Sequence, residues 1–189
     1  MSTLRIIAGK AKGMRIKTVP GDSTRPITDR VKESLFNILS GDIVDSSFLD
    51  LFGGTGSVSL EALSRGAAYA RIIDLHPLAI KIIKSNISST KLENAQVIRS
   101  DALVYIKNQP DTAFDYIYIA PPQYKEIWEK VFFILDNNPD WLHPDGWVIV
   151  QIHPKEYKSI ILNNFREFDK RKYGSTLLVF YERINPEKP

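Results

Sequence analysis

The 189-residue chain contains no cysteine, which excludes a disulfide framework, a thiolate zinc site and a cysteine nucleophile. Its three histidines, His76, His143 and His153, lie far apart and without the spacing of metal ligands, so no metal is expected. No apolar run approaches the roughly 20 residues that span a bilayer. The opening MSTLRIIAGK lacks the apolar core of a secretory leader, so a cytoplasmic protein with no membrane partner is expected. No Lys-Ser or Lys-Thr follows the glycines of LDLFGGTGS, which excludes a phosphate-binding loop of the Walker type.

What is present is a chain 43% hydrophobic and 25% charged, enough for one globular domain with a sizeable core and a small appendage. Net charge is +3, unevenly placed. Residues 1–32 carry Arg5, Lys10, Lys12, Arg15, Lys17, Arg25, Arg30 and Lys32 against only Asp22 and Asp29, so the remainder is net acidic. A basic segment on an acidic body points to a polyanion contact; the competing reading is a solvated surface. The expected division is a basic hairpin with a docking helix, residues 1–42, and a main domain, residues 43–189.

LRIIAG and GMRIKTVP read as a hairpin about the Gly9–Gly13 connection. In RPITDRVKESLFNILSG, Thr28 can cap a helix whose apolar face is Val31, Leu35, Ile38 and Leu39, with Gly41 as its stop. From Ser46 onward strands and helices alternate. SSFLDLF, AYARIIDL, AQVIRS, FDYIYIA and GWVIVQI read as strands, and GSVSLEALSRG, PLAIKIIKSNISST, ALVYIKNQ, YKEIWEKVFFILDNN and KEYKSIILNN as helices. FREFDKRKYGSTLLVFYERI closes the chain as two strands about Gly174, followed by a frayed NPEKP tail. This alternation implies an α/β fold, a mostly parallel sheet covered on both faces with an antiparallel pair at its edge.

Chemistry gathers at strand ends. LDLFGGTGS turns a strand into a helix, where Gly53, Gly54 and Gly56 allow close backbone approach and the helix start offers free N–H groups. Asp50 ends the first strand, Asp74 the second and Asp101 follows the third. An acid about 20 residues past a glycine turn is placed to accept from ribose hydroxyls. Asp101 could meet an adenine amino group. A carboxylate beside the glycines repels phosphate, so Asp50 favours a ligand without one; S-adenosylmethionine has ribose, adenine and an amino group and no phosphate. Each Asp alone reads equally as a helix cap.

The last motif is DYIYIAPPQYKEIW, a strand that ends in a double proline. Tyr116 and Tyr118 alternate along it and are expected to pack in the sheet.

Taken together, these motifs resemble the class I S-adenosylmethionine-dependent methyltransferases, and more closely the bacterial family that methylates guanine N2 in 16S ribosomal RNA. RIIAGKAKGMRI resembles that family's basic hairpin, RPITDRVKESLFNIL its N-terminal signature with Ile27 in a Thr slot, and LDLFGGTGSVSLEALSRGA its cofactor loop with Gly53 where Ala is more usual. The resemblance runs over nearly the whole chain. It implies a Rossmann-like seven-stranded sheet with an antiparallel last hairpin. It implies an S-adenosylmethionine site on Asp50, Gly54, Gly56, Asp74 and Asp101, with Phe52, Gly53, Leu75 and Ala102 as flanking candidates. Arg5, Lys10, Lys12, Arg15, Arg25 and Arg30 are the candidate contacts to 16S ribosomal RNA or the small subunit, and a monomer is expected.

That family normally reads Asp-Pro-Pro-[Phe/Tyr]; here the motif is Ala120-Pro121-Pro122-Gln123-Tyr124, with the acid gone. A guanine amine is a weak nucleophile because its lone pair is delocalised into the ring. Two acceptors can bind its two N–H groups and turn the lone pair toward the methyl donor, the prolines hold the turn rigid, and an aromatic stacks the base. The expectation is that Gln123 supplies the lost acceptor, a backbone carbonyl at Ala120 or Pro121 the second, and Tyr124 the stacking; the competing reading leaves Gln123 in solvent. A catalytically silent ribosomal-RNA-binding module and a DNA methyltransferase remain as alternatives.

Overall fold

A computed structural model describes residues 4–19, 27–123 and 126–184. Arg25, Tyr124 and the NPEKP tail lie outside the described residues. The chain forms two compact units, Met1–Asp101 and Ala102–Pro189. They contribute to a seven-stranded mixed sheet, the fold expected from the alternation of elements.

In the first unit the N-terminal segment folds back on itself about Gly9–Gly13. Ile6 N donates to Met14 O (2.9 Å) and Ile16 N to Leu4 O (2.9 Å), and Arg5 and Arg15 form an isolated antiparallel β-bridge. Then come α1 (Asp29–Leu39), β1 (Ser47–Asp50), α2 (Ser57–Ser64), β2 (Tyr69–Asp74), α3 (Pro77–Thr90) and β3 (Ala95–Arg99). The strands run parallel in the order β3-β2-β1. Thr28 caps α1 by accepting from Val31 N, as expected. The buried face of α1 differs from the expected one: Phe36 and Lys32 join Val31, Leu35 and Leu39, and Ile38 is only half-buried. The helix stops one residue early, at Ser40 with φ 48°, and Gly41 falls inside a short 3-10 turn.

The second unit holds α4 (Ala102–Lys107), β4 (Phe114–Ile119), α5 (Ile127–Asp136), β5 (Leu142–Ile152), β6 (Phe165–Tyr173) and β7 (Thr176–Arg183). β4 and β5 are parallel, β7 is antiparallel to β5, and β6 is the outer strand, antiparallel to β7. β4 is buried along almost its whole length, as a strand covered on both faces must be. Tyr116 and Tyr118 pack within it; the Tyr118 hydroxyl donates to Gln151 Oε1 (2.5 Å) and the Tyr116 ring meets Trp147 edge-on.

One expected helix is absent. A single 3-10 turn, Pro154–Glu156, overlaps only the start of KEYKSIILNN, which then runs on without regular structure. Two features explain it. Ile161 is 92% exposed, so the segment has no continuous apolar face to bury. Its end is held by other bonds: Asn163 N and Asn164 N each donate to the buried Asp136 carboxylate at 2.8 Å.

Candidate methyltransferase site

The loops that follow β1, β2 and β3 are laced into one rim. Asp74, the last residue of β2, accepts from Gly54 N through Oδ2 (2.8 Å) and from His76 N through Oδ1 (2.8 Å). Gly53 N donates to Ile73 O (2.8 Å), Ser100 N to Asp74 O (3.1 Å) and Arg99 Nε to Leu75 O (3.3 Å). These bonds fix Phe52, Gly53, Gly54, Asp74, Leu75 and Asp101 at the carboxyl ends of three successive parallel strands, where open α/β sheets bind ligands.

The glycines have different jobs. Gly54 has φ +54° and no atom closer than 4.0 Å to the position of an added Cβ, so open space lies over its backbone. Gly53 instead packs downward: a Cβ there would stand 2.4 Å from Ile72 Cγ2. Gly56 is the N-cap of α2.

The three acids differ as well. Asp74 is oriented by two backbone donors, one on each carboxylate oxygen. Asp50 is buried; Oδ2 accepts from Ser59 Oγ (2.8 Å) and Oδ1 from Phe52 N (3.2 Å). Burial pushes its carboxyl up to about 7 despite those two hydrogen bonds, and the Asp74 charge adds to the rise. Asp101 is half-buried at the end of β3. Open space over Gly54, a carboxylate at Asp74 and a buried acid at Asp50 fit S-adenosylmethionine, which carries both hydroxyls and an ammonium group.

In the second unit Ala120 follows β4 directly. Ala120 and Pro121 are half-buried, Pro122 is exposed and Gln123 sits half-buried in a turn. Ala102 opens α4 and is buried.

The candidate RNA cations Arg5, Lys10, Lys12, Arg15 and Arg30 are exposed. Arg5 pairs with Asp29 at 2.9 Å. Lys32, counted in the same basic segment, is not on that surface: its ammonium is fully enclosed and donates to Arg5 O (2.7 Å) and Ser57 Oγ (2.9 Å), 3.5 Å from Glu61. Burial lowers its pKa, against the raising effect of Glu61. Glu61 is the residue the sequence reading missed. Its carboxylate also accepts from Ile7 N (2.8 Å), Ala8 N (3.0 Å) and Arg65 Nε (2.8 Å), so it anchors the hairpin on α2. Ser64 adds a bond from Ala11 N (2.9 Å), and Gly9, φ +80°, passes so close that a Cβ would lie 1.8 Å from Ser64 O. Asn86 on α3 was also missed. It accepts from Lys17 N (2.8 Å) and donates to Lys17 O (3.0 Å) and Thr55 O (2.9 Å), joining the end of the hairpin to the glycine loop. The available signal for Glu61 was an acid inside a helix that is otherwise small or apolar.

This fold and this rim are those of a Rossmann-like, S-adenosylmethionine-dependent methyltransferase. Similarity to known proteins narrows the class. The chain belongs to the family described as Conserved hypothetical protein 95, whose pattern matches residues 4–182. It is 31% identical to Ribosomal RNA small subunit methyltransferase D of Escherichia coli, over 95% of this chain and 90% of that one. It is 36% identical to the protein of the same name from Haemophilus influenzae, over 78% of each. The solved structure of Escherichia coli YhhF superposes with a TM-score of 0.86 at 30% identity, covering 96% of this chain and 98% of that one.

Proposed function

We propose that the protein transfers the methyl group of S-adenosylmethionine to the exocyclic N2 of a guanine in 16S ribosomal RNA, in the cytoplasm and on the small ribosomal subunit. The observation that carries the reading is the laced rim at Asp50, Gly54, Asp74 and Asp101, set in a chain whose relatives bear a small-subunit RNA methyltransferase name over nearly their whole length. The exposed cations of the hairpin support RNA as the substrate.

Bound at the rim, S-adenosylmethionine supplies an electrophilic sulfonium methyl. Asp74 holds the ribose hydroxyls, Asp101 the adenine amine and Gly54 the backbone cradle. Asp50, charged when a cation stands near it, orients the amino group. At the end of β4 the rigid Pro121-Pro122 turn presents the Ala120 or Pro121 carbonyl and the Gln123 amide oxygen to the two N–H groups of the guanine amine, and Tyr124 stacks the base. The work of these groups is positioning.

One observation favours a second reading. Ala120 leaves the strand end without the family's side-chain acceptor, which a module that binds ribosomal RNA but transfers nothing would tolerate. Expression in cells that lack their own small-subunit N2-methylguanine distinguishes the two. Nucleoside analysis in which the modified base reappears in 16S RNA supports the enzyme; its continued absence, with the protein bound to subunits, supports the silent module.

A further inference from the structure

The tip of the β6–β7 hairpin is a charged feature that the site described above does not use. Strand pairing places it. Ile119 pairs with Val150, Val150 with Val179 and Val179 with Lys170. β4, β5 and β6 therefore point the same way, and the β6–β7 turn emerges at the end of these strands where Ala120-Pro121-Pro122-Gln123 begins. At about 3.3 Å per residue and about 4.8 Å between strands, Arg171 and Lys172 stand level with Ala120 and Pro121, about 14 Å to the side.

Three of the four cations on β6 pair with acids, and the fourth, Lys172, lies next to the tip. Arg166, at the far end of β6, pairs with Glu182 at 2.8 Å. Lys170 is held by Glu167 (3.4 Å) and sits over the Tyr157 ring (4.4 Å). Arg171 is exposed and pairs through Nε with Asp169 (2.9 Å). Lys172 is exposed and has no ion pair among the described residues; half-buried Tyr173 and exposed Ser175 complete the turn. Lysines that merely guard an edge strand against pairing act along its length. Here Lys172, with no ion pair among the described residues, stands beside Arg171 at the end nearest the proline turn.

We propose that Arg171, Lys172 and Ser175 contact the phosphate backbone of the RNA whose base is presented at the Ala120–Gln123 turn. This rests on RNA as the substrate. Cations, a hydroxyl and an aromatic on a hairpin tip suit a nucleic-acid strand without reading its sequence, since phosphate contacts fix register while base contacts specify. The tip holds the strand beside the turn, so the guanine is delivered in place.

The test is the double variant Arg171→Glu/Lys172→Glu, assayed for methyl transfer to small ribosomal subunits over a salt series, with S-adenosylmethionine binding measured by calorimetry. The expected result is a KM for subunits raised at least about tenfold, a slope of log KM against log salt shallower by about one to two, and cofactor affinity unchanged. Arg166→Gln, at the opposite end of the same strand, leaves all three as in wild type. A double variant with wild-type KM and salt slope overturns the inference and leaves the RNA reading standing. A wild-type protein that binds the cofactor and methylates no RNA overturns both.

Discussion

Lys32 on α1 and Glu61 on α2 face each other at 3.5 Å with both side chains fully enclosed, and the hairpin backbone is bonded to each of them. A buried charge is tolerated only when it is paired and its hydrogen-bonding capacity is filled. Glu61 meets that condition through two cations and two backbone N–H groups. Lys32 also reaches Ser57 in the first turn of α2, immediately after the glycine loop. The pair therefore fastens the basic hairpin to the element that carries the cofactor loop.

Removing Glu61 strands Lys32 and two hairpin amides together. Glu61→Ala is expected to cost about 3–5 kcal/mol, the range for breaking a buried ion pair. Lys32→Met leaves Glu61 neutralised by Arg65 and costs less. Urea denaturation of both variants checks the order; equal losses contradict it.

Asp50 gives the protein a pH signature. Its folded pKa is raised, so the folded chain keeps a proton that an unfolded aspartate has lost. Between about 4 and about 7 the folded state binds more protons, and stability falls as pH rises, by up to about 4 kcal/mol. Asp50→Asn removes the fall, so its stability relative to wild type improves from pH 5 to pH 8. A difference between the two proteins that is the same at both pH values refutes the assignment. An ammonium group bound near Asp50 favours its charged form. Calorimetry near pH 7 in buffers of different ionisation enthalpy therefore shows proton release on cofactor binding.

How much of this was readable in the sequence differs between sheet and site. The strand ends at Asp50 and Asp74 were visible because apolar runs and glycines mark them, and α3 ran from Pro77 to Thr90 as its pattern implied. Lys32 and Glu61 were not, because a charged side chain in an amphipathic pattern reads as solvated; only the fold reveals that the hairpin covers it. KEYKSIILNN misled for the opposite reason: its composition suits a helix, but the Asp136 clamp on Asn163 and Asn164 decides its path.

The proline turn makes a rescue prediction. If one acceptor is worth about 2–4 kcal/mol in the transition state, as one oxyanion-hole donor is, Ala120→Asp restores transfer roughly 30- to 1,000-fold when introduced into Gln123→Ala and changes kcat little in the wild type. Gln123→Ala abolishes transfer and leaves the dissociation constant for S-adenosylmethionine within about twofold. Single-turnover kinetics with saturating cofactor measures both. Wild-type turnover in Gln123→Ala would remove Gln123 from the mechanism.

Asp74 anchors Gly54, and in the proposed site it also contacts the ribose. Asp74→Ala is therefore expected to weaken cofactor binding at least about 100-fold, and Asp74→Asn less, since one amide oxygen still accepts a backbone bond. Equal affinities in the two variants contradict the dual role.

The most direct test of the central claim uses the purified protein and labelled S-adenosylmethionine. Small ribosomal subunits that lack their own N2-methylguanine are the substrate, with naked 16S RNA alongside. Label recovered as N2-methylguanine in 16S RNA is the predicted result. Cofactor binding confirmed in the same preparation, with no label in any RNA, would contradict it.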